Sequence, residues 1–229
     1  MKKKVTSIIL CGGKGERLRP LTKDIPKPLI NVNKKPILSY IFDHLLGSQL
    51  ENFIIATGYK AEKIESYLEE IDPSFNYKII NSGDTDIIRR IQDSKDQITN
   101  DFMVLYGDTI SDVDISELIN FHNSHSNPIT ITVWPLKTEF GVVELSQESQ
   151  VISFEEKPEL GKWINIGYFY FDHEMIKMLC EYDSFEDFLI DASERRLLSA
   201  YKHRKMHLTI NNLSELSKAE EELNKLVKD

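Results

Sequence analysis

Cysteine is nearly missing from this sequence: Cys11 and Cys180 are the only two. A disulfide framework is therefore excluded, and their spacing fits no metal motif. A reducing, cytoplasmic compartment is the expectation, with both thiols serving as small core residues. No apolar run approaches the ~18 residues of a membrane span. The stretch from Met1 to Cys11 has a basic lead and a cysteine, but its apolar run is short. Bulky Ile9 and Leu10 also stand where a lipoprotein cleavage site needs small residues. Repeats, low-complexity tracts and linkers are missing too, so 1–229 reads as a single domain. Positive charge is in deficit, 28 Lys+Arg against 37 Asp+Glu for a net −9, which argues against a nucleic-acid partner.

That deficit is unevenly placed. Residues 1–35 hold ten basic side chains against Glu16 and Asp24, a local +8 that leaves −17 for the remainder. The apolar pattern alternates short buried strands with amphipathic helices through the first half. Strands are predicted over 5–11, 53–57, 77–81 and 101–106, and helices over 36–46, 61–71, 86–95 and 115–124. This predicts an α/β fold, a three-layer α/β/α Rossmann-like mixed sheet. The second half changes style, with strands predicted over 129–133, 141–145, 151–154 and 164–171 on short connections, which suggests antiparallel pairing. Helices over 173–179 and 185–195, a pair of short strands within 198–210 and a helix over 214–227 complete the reading.

The densest chemistry lies directly after the first strand, in Leu10-Cys-Gly-Gly-Lys-Gly-Glu-Arg-Leu-Arg-Pro-Leu-Thr22, followed by Pro26-Lys-Pro28. Gly12, Gly13 and Gly15 leave backbone N–H groups free to approach phosphate, while Lys14, Arg17 and Lys27 bring cations. A tight turn with solvated charges is the plainer alternative. Two named motifs fail by spelling. A dinucleotide fingerprint needs a glycine where Leu18 stands, which counts against a nicotinamide oxidoreductase, and a P-loop needs Ser or Thr where Gly15 follows Lys14.

Gly12-Gly13-x-Gly15-x-Arg17-Leu18-x-Pro20-Leu21-Thr22, with Pro26-Lys27-Pro28 and Lys35-Pro36-Ile37, resembles the signature of the sugar-1-phosphate nucleotidyltransferases. Glu16 departs from the family's common threonine. Tyr106-Gly-Asp-Thr109, Phe140-Gly141-Val-Val143, Phe154-Glu-Glu-Lys-Pro158 and Trp163-Ile-Asn165-Ile-Gly167 continue the likeness in order. Tyr106–Asp114, Phe121–His125 and Ala200–His203 look especially like the glucose-1-phosphate cytidylyltransferases.

The resemblance implies transfer of NMP from an NTP, CTP favoured, to a sugar 1-phosphate or related phospho-compound, with Mg²⁺ as cofactor. It implies catalytic roles for Arg17 and Lys27, and nucleotide contacts from Leu10, Gly12, Gly13, Lys14, Gly15, Gly83, Thr85 and Arg89. Gly141, Glu156, Lys157 and Asn165 would take the sugar phosphate, and Asp108 the metal. A second metal carboxylate is expected before the last helix, yet that stretch reads His207-Leu-Thr-Ile-Asn-Asn-Leu213, so Asn211 is the substitute. This departure motivates an alternative, a homologue that binds a nucleotide sugar without turnover. Nucleic acid and membrane are not expected partners, and a homo-oligomer is left open.

Other polar residues carry plainer expectations. Asp112 and Asp114 read as turn and helix-cap residues. His122 and His125 have no third ligand nearby and read as surface or structural rather than zinc ligands. Glu155 and Glu156 face opposite ways along a strand, so one of them, Glu156, reaches the sugar.

Overall fold

The computed structural model describes residues 5–226 apart from 49, 51 and 72–74. Lys2, Lys3 and Lys4 of the basic lead, and Val227 at the end of the last predicted helix, lie outside the described residues. The chain opens with β1 (Thr6–Leu10), and the glycine-rich loop then runs through three short 3₁₀ turns to β2 (Asn31–Val32) and β3 (Lys35–Pro36). Helix α1 (Ile37–Gly47), β4 (Asn52–Thr57), α2 (Ala61–Ile71), β5 (Asn76–Asn81), α3 (Ile87–Asp93) and β6 (Phe102–Tyr106) follow. Then come β7 (Thr109–Ser111), α4 (Ile115–Asn123), β8 (Ile129–Lys137), β9 (Val142–Leu145), β10 (Val151–Glu155) and β11 (Glu159–Phe171). The chain closes through α5 (Met175–Leu179), α6 (Phe185–Glu194), β12 (Leu198–Lys202), β13 (His207–Thr209) and α7 (Leu213–Leu226).

The main sheet has seven strands in the order β12-β8-β11-β6-β1-β4-β5. Only β11 among them runs antiparallel to its neighbours. Strands buried on both faces are largely apolar; β6 is so along its length, and β1 is so over Ile8–Leu10 after Thr6 and Ser7. Alternate residues divide between two cores. Ile9, Leu105 and Tyr168 meet α1, α2, α4 and α7 on one face, and Ile8, Val104 and Phe169 meet α3, α5 and α6 on the other. This is the expected three-layer arrangement.

The helices start where short polar side chains can satisfy free N–H groups. Asp86 caps α3 by accepting from Arg89 N at 3.2 Å, Asp114 caps α4 from Glu117 N at 2.9 Å, and Ser184 caps α6 from Asp187 N at 3.2 Å. The cap expected at Asp114 is thus in place, while Asp112 pairs with the buried His203 at 3.1 Å.

The antiparallel pairing expected among the strands of 129–171 is present, β8 with β11 in the main sheet and β9 with β10 in a separate two-stranded ribbon, while the later β12 pairs parallel to β8. The intervening α5 and α6 supply the crossover that parallel pairing requires. The two short strands within 198–210 do not pair with each other, because β13 pairs instead with β7. Finally, Cys11 is buried as expected but Cys180 is exposed, since it follows the last turn of α5 rather than pointing into the core. No helix among the described residues is long and apolar enough to cross a membrane.

Order along the sheet decides where a ligand can sit. From β1 the chain moves to β4 and β5 on one side, then crosses to β6 on the other. The loops after β1 and β6 therefore diverge from adjacent strands, and the crevice at such a switch point is where open α/β sheets bind ligands. The two loops also touch: Gly107 N donates to Leu10 O at 3.1 Å. A Cβ at Gly107 would lie 2.5 Å from that oxygen, so no other residue fits the approach.

Two stability predictions follow from this packing. Phe102 and Phe171 stack across β6 and β11 with centroids 4.8 Å apart, so Phe171→Ala should cost about 3–5 kcal/mol in denaturant unfolding. Burial, with His203 adding to it, holds the His207 imidazole down to about 4 from its ordinary 6.5. Between those values the unfolded chain binds the extra proton, so stability should fall as pH drops through that window, by roughly 3 kcal/mol at most. Urea midpoints at pH 7 and 4.5 should differ more for the wild type than for His207→Gln.

Candidate functional site

At the carboxyl ends of β1 and β6 lies a cavity of about 380 Å³. Leu10, Gly12, Gly13, Lys27, Thr85 and Asp108 line it, together with Asp86, Arg90, Tyr106, Gly107 and Glu186. The sequence thus foresaw six of its walls, drawn from four separate segments.

The polar centre sits beside it. Lys27 Nζ donates to Asp108 Oδ2 at 2.5 Å and to Asn211 Oδ1 at 3.0 Å, and Arg17 Nη2 donates to the same Asn211 oxygen at 3.2 Å. These residues reach one another through the fold. Lys27 is placed by the Pro26–Leu29 turn, where Ile30 N returns to Lys27 O at 3.0 Å. Asp108 follows β6, and its main-chain oxygen accepts from Ile210 N at 3.2 Å, extending the β7–β13 pairing. Asn211 is held at the head of α7 by a reciprocal cap. Glu215 accepts from Asn211 N at 2.8 Å and from Asn212 Nδ2 at 2.8 Å, while Asn212 Oδ1 accepts from Glu215 N at 2.9 Å. The centre holds two cations and one carboxylate, an excess of positive charge that suits an anionic ligand; Lys27 and Asp108 line the cavity, and Arg17 and Asn211 join them by hydrogen bonds without being part of its lining.

The remaining glycine-loop residues fall into distinct positions. Gly15 sits in the left-handed region at φ 60° and its oxygen accepts from Thr22 Oγ1 at 2.8 Å. Thr22 is buried, so the conformation of the loop is secured from beneath. Lys14 is exposed and paired with Asp84 at 2.6 Å, which raises its pKa. Gly83 lies outside the cavity lining, and its carbonyl accepts from Arg90 Nη2 at 3.1 Å. Arg89 is a correction: its Nε pairs with Asp93 at 2.9 Å, one helical turn on, and it stays outside the cavity lining. The lining residue is its neighbour Arg90, 4% exposed. The i,i+4 relation of Arg89 to Asp93 was the available signal that Arg89 would be engaged on the helix surface.

Gly141, Glu156 and Lys157 belong to the exposed β9–β10 ribbon and do not line the cavity. Gly141 is packed by the Phe154 ring, whose Cζ would lie 2.6 Å from an added Cβ, and Glu156 Oε2 is 3.1 Å from the same point. Lys157 holds φ 50°, sparsely populated by non-glycine residues and often found at functional turns. Asn165 on β11 accepts from Gly167 N at 3.0 Å and hydrogen-bonds Tyr106 in the cavity wall. Burial first, then Glu186 and Asp108, push the Tyr106 phenol up to about 12, so it stays protonated. Burial likewise raises the Cys11 thiol, which excludes it as a nucleophile.

Reasoning from sequence passed over Arg90, Tyr106, Asp86 and Glu186, whose role depends on facing a shared cavity. His122 is buried between Thr130 Oγ1 at 2.9 Å and Asp172 Oδ1 at 3.2 Å, and His125 is exposed with Nδ1 2.7 Å from Phe121 O.

Known proteins share this arrangement of segments. The chain is 34% identical over 202 residues to the bifunctional protein GlmU of Methanocaldococcus jannaschii, covering 86% of this chain but 46% of that protein. The chain thus spans less than half the length of this relative. It is also 34% identical over 194 residues to the D-glycero-alpha-D-manno-heptose 1-phosphate guanylyltransferase of Campylobacter jejuni, covering 80% of this chain and 84% of that one. Among solved structures, HddC from Yersinia pseudotuberculosis matches with a TM-score of 0.74 at 24% identity, over 96% of this chain and 99% of that chain, a likeness of fold. The nucleotidyl transferase family pattern matches residues 6–215. Because that match runs unbroken from the glycine loop through Asp108 to the Asn211 cap, the chain belongs to the nucleotidyl transferase family.

Proposed function

We propose that this chain transfers a nucleoside monophosphate from an NTP to a sugar 1-phosphate or related phospho-compound, releasing pyrophosphate. The observation that carries the reading is the convergence of Arg17, Lys27, Asp108 and Asn211, with Lys27 and Asp108 lining the cavity. An acceptor phosphomonoester, with its second pKa near ~6, is mostly ionised at neutral pH and needs no general base. Its oxygen forms a bond to the α-phosphorus while the bond to the β-phosphate bridging oxygen breaks, and pyrophosphate leaves with the electron pair. The protein's work is positioning and charge stabilisation. Lys27 would meet the α-phosphate, Arg17 the β- and γ-phosphates, and Lys157 the acceptor phosphate. Glu156, Asn165 and the Gly141 backbone would meet the sugar.

The residues also fit Mg²⁺. Asp108 and Asn211 offer only oxygen donors, already arranged around one ammonium group. A hard divalent ion prefers such a set completed by substrate phosphates. Asp108 and Asn211 would hold it, and it would neutralise phosphate charge. With a single carboxylate, metal binding should depend strongly on the nucleotide.

For the base, the resemblance of the Tyr106–Asp114 and Phe121–His125 segments favours CTP, and the name of the Campylobacter relative introduces GTP. Asp86 and Glu186 in the cavity wall suit a base with an exocyclic amine, which cytosine and guanine share and uracil and thymine lack. A second reading, binding without turnover, rests on an amide standing at Asn211.

A panel of CTP, GTP, UTP and dTTP against sugar 1-phosphates should give metal-dependent pyrophosphate release with CTP or GTP. Nucleotide-dependent thermal stabilisation without release would instead support the binding reading. Asp108→Asn should lower turnover by 100-fold or more on the usual scale of lost electrostatic groups, whereas Asn211→Asp should retain or raise it. An active Asp108→Asn protein would sink the assignment.

A further inference from the structure

The buried guanidinium of Arg90 is absent from the roles assigned above. It reaches carbonyl oxygens on both walls of the cavity. Nη2 donates to Gly12 O at 2.9 Å and to Gly83 O at 3.1 Å, and Nη1 donates to Asp86 O at 2.9 Å and also to Thr85 O. Nε is buried without a partner, an expensive state for a charged group. Burial lowers the Arg90 pKa, yet a guanidinium remains a cation. The packing is equally tight: a Cβ on Gly12 would lie 1.9 Å from Arg90 Nε, so the first loop glycine is required by Arg90.

The consequence concerns the direction of one peptide. In a planar trans peptide the C=O and the following N–H point in opposite directions. With the Gly12 carbonyl committed to Arg90 and to Tyr59 N at 3.1 Å, the Gly13 N–H must point the other way. Gly13 lines the cavity, no atom lies within 4 Å of its added Cβ, and its N–H has no protein acceptor among the described residues.

We propose that Arg90 is a positioning residue for the nucleotide. By gripping Gly12 on one wall and Gly83–Asp86 on the other, it aims the Gly13 N–H at the nucleotide's phosphates and sets the width of the cleft. This inference rests on the transferase reading for its ligand, a nucleoside triphosphate, but acts through geometry rather than through charge alone.

Arg90→Lys and Arg90→Gln separate the two. Lysine keeps the charge but lacks the fork that spans four carbonyls, and glutamine loses both. Affinities for CTP, GTP and inorganic tripolyphosphate would be measured by calorimetry on each full chain, with folding followed by thermal unfolding. Substrate KM values would come from pyrophosphate release. Both variants should fold and lose tenfold or more in nucleotide and tripolyphosphate affinity, while the acceptor KM stays within twofold. Wild-type nucleotide affinity in Arg90→Lys would overturn the proposal. So would an equal loss for both substrates, or failure of both variants to fold, since either outcome marks a purely structural arginine. If the wild type binds nucleotide but never releases pyrophosphate, the transferase reading fails and the affinity comparison still decides this one. A wild type that binds none of the three ligands ends both.

Discussion

A single ammonium group, Lys27 Nζ, bridges oxygens from two distant parts of the chain, Asp108 at 2.5 Å and Asn211 at 3.0 Å. The contact requires that β1 and β6 lie side by side and that their loops open in the same direction. It also requires β13 to return beside β7, so that the last strand delivers Asn211 next to Asp108. Most of the architecture on the α1 face serves that convergence. The α7 cap then stops Asn211 from drifting, because Glu215 holds its backbone nitrogen at 2.8 Å.

The charge distribution gains meaning in the same place. A chain of net −9 is short of positive charge overall, yet Arg17 and Lys27 gather around Asn211 and Asp108 beside the cavity. Such a local excess can bind a small polyanion while the acidic exterior repels extended ones. The rest of the lining is different in kind, with Asp86, Glu186 and a neutral Tyr106. One pocket therefore offers cations to phosphate and acceptors to a donor-bearing group. The exposed ribbon carrying Glu156 and Lys157 stands apart from it, linked through Asn165 to Tyr106.

Much of this was legible beforehand. Helix α2 begins and ends where its pattern of Ala61, Ile64 and Leu68 predicts, and α4 begins after Asp114 because an aspartate there can cap the chain. Glycine spacing and nearby cations singled out a loop that does line the cavity, because backbone access and charge are local properties. The rest shares a cause. The pairing of β12 with β8 and of β13 with β7 could not be read from either strand, because pairing partners depend on crossovers, not on a strand's own residues. Cys180 was placed in the core by residue type alone, and position after the end of α5 outweighs type.

Composition, periodicity and spelling by themselves determined the alternation of strands and helices and a glycine-rich loop with cations beside it. These follow from propensities and short-range sterics, which each segment carries with it. Only the tertiary structure decided that Arg90, and not Arg89, enters the cavity, that Asn211 meets Lys27 and Arg17, and that Tyr106, Asp86 and Glu186 share one wall. Adjacent residues on a helix point about 100° apart, so two neighbouring arginines are equivalent in the sequence and become different only when one side of α3 is covered. Burial and convergence are relations between segments, and the sequence states the members of such a relation without stating that they meet.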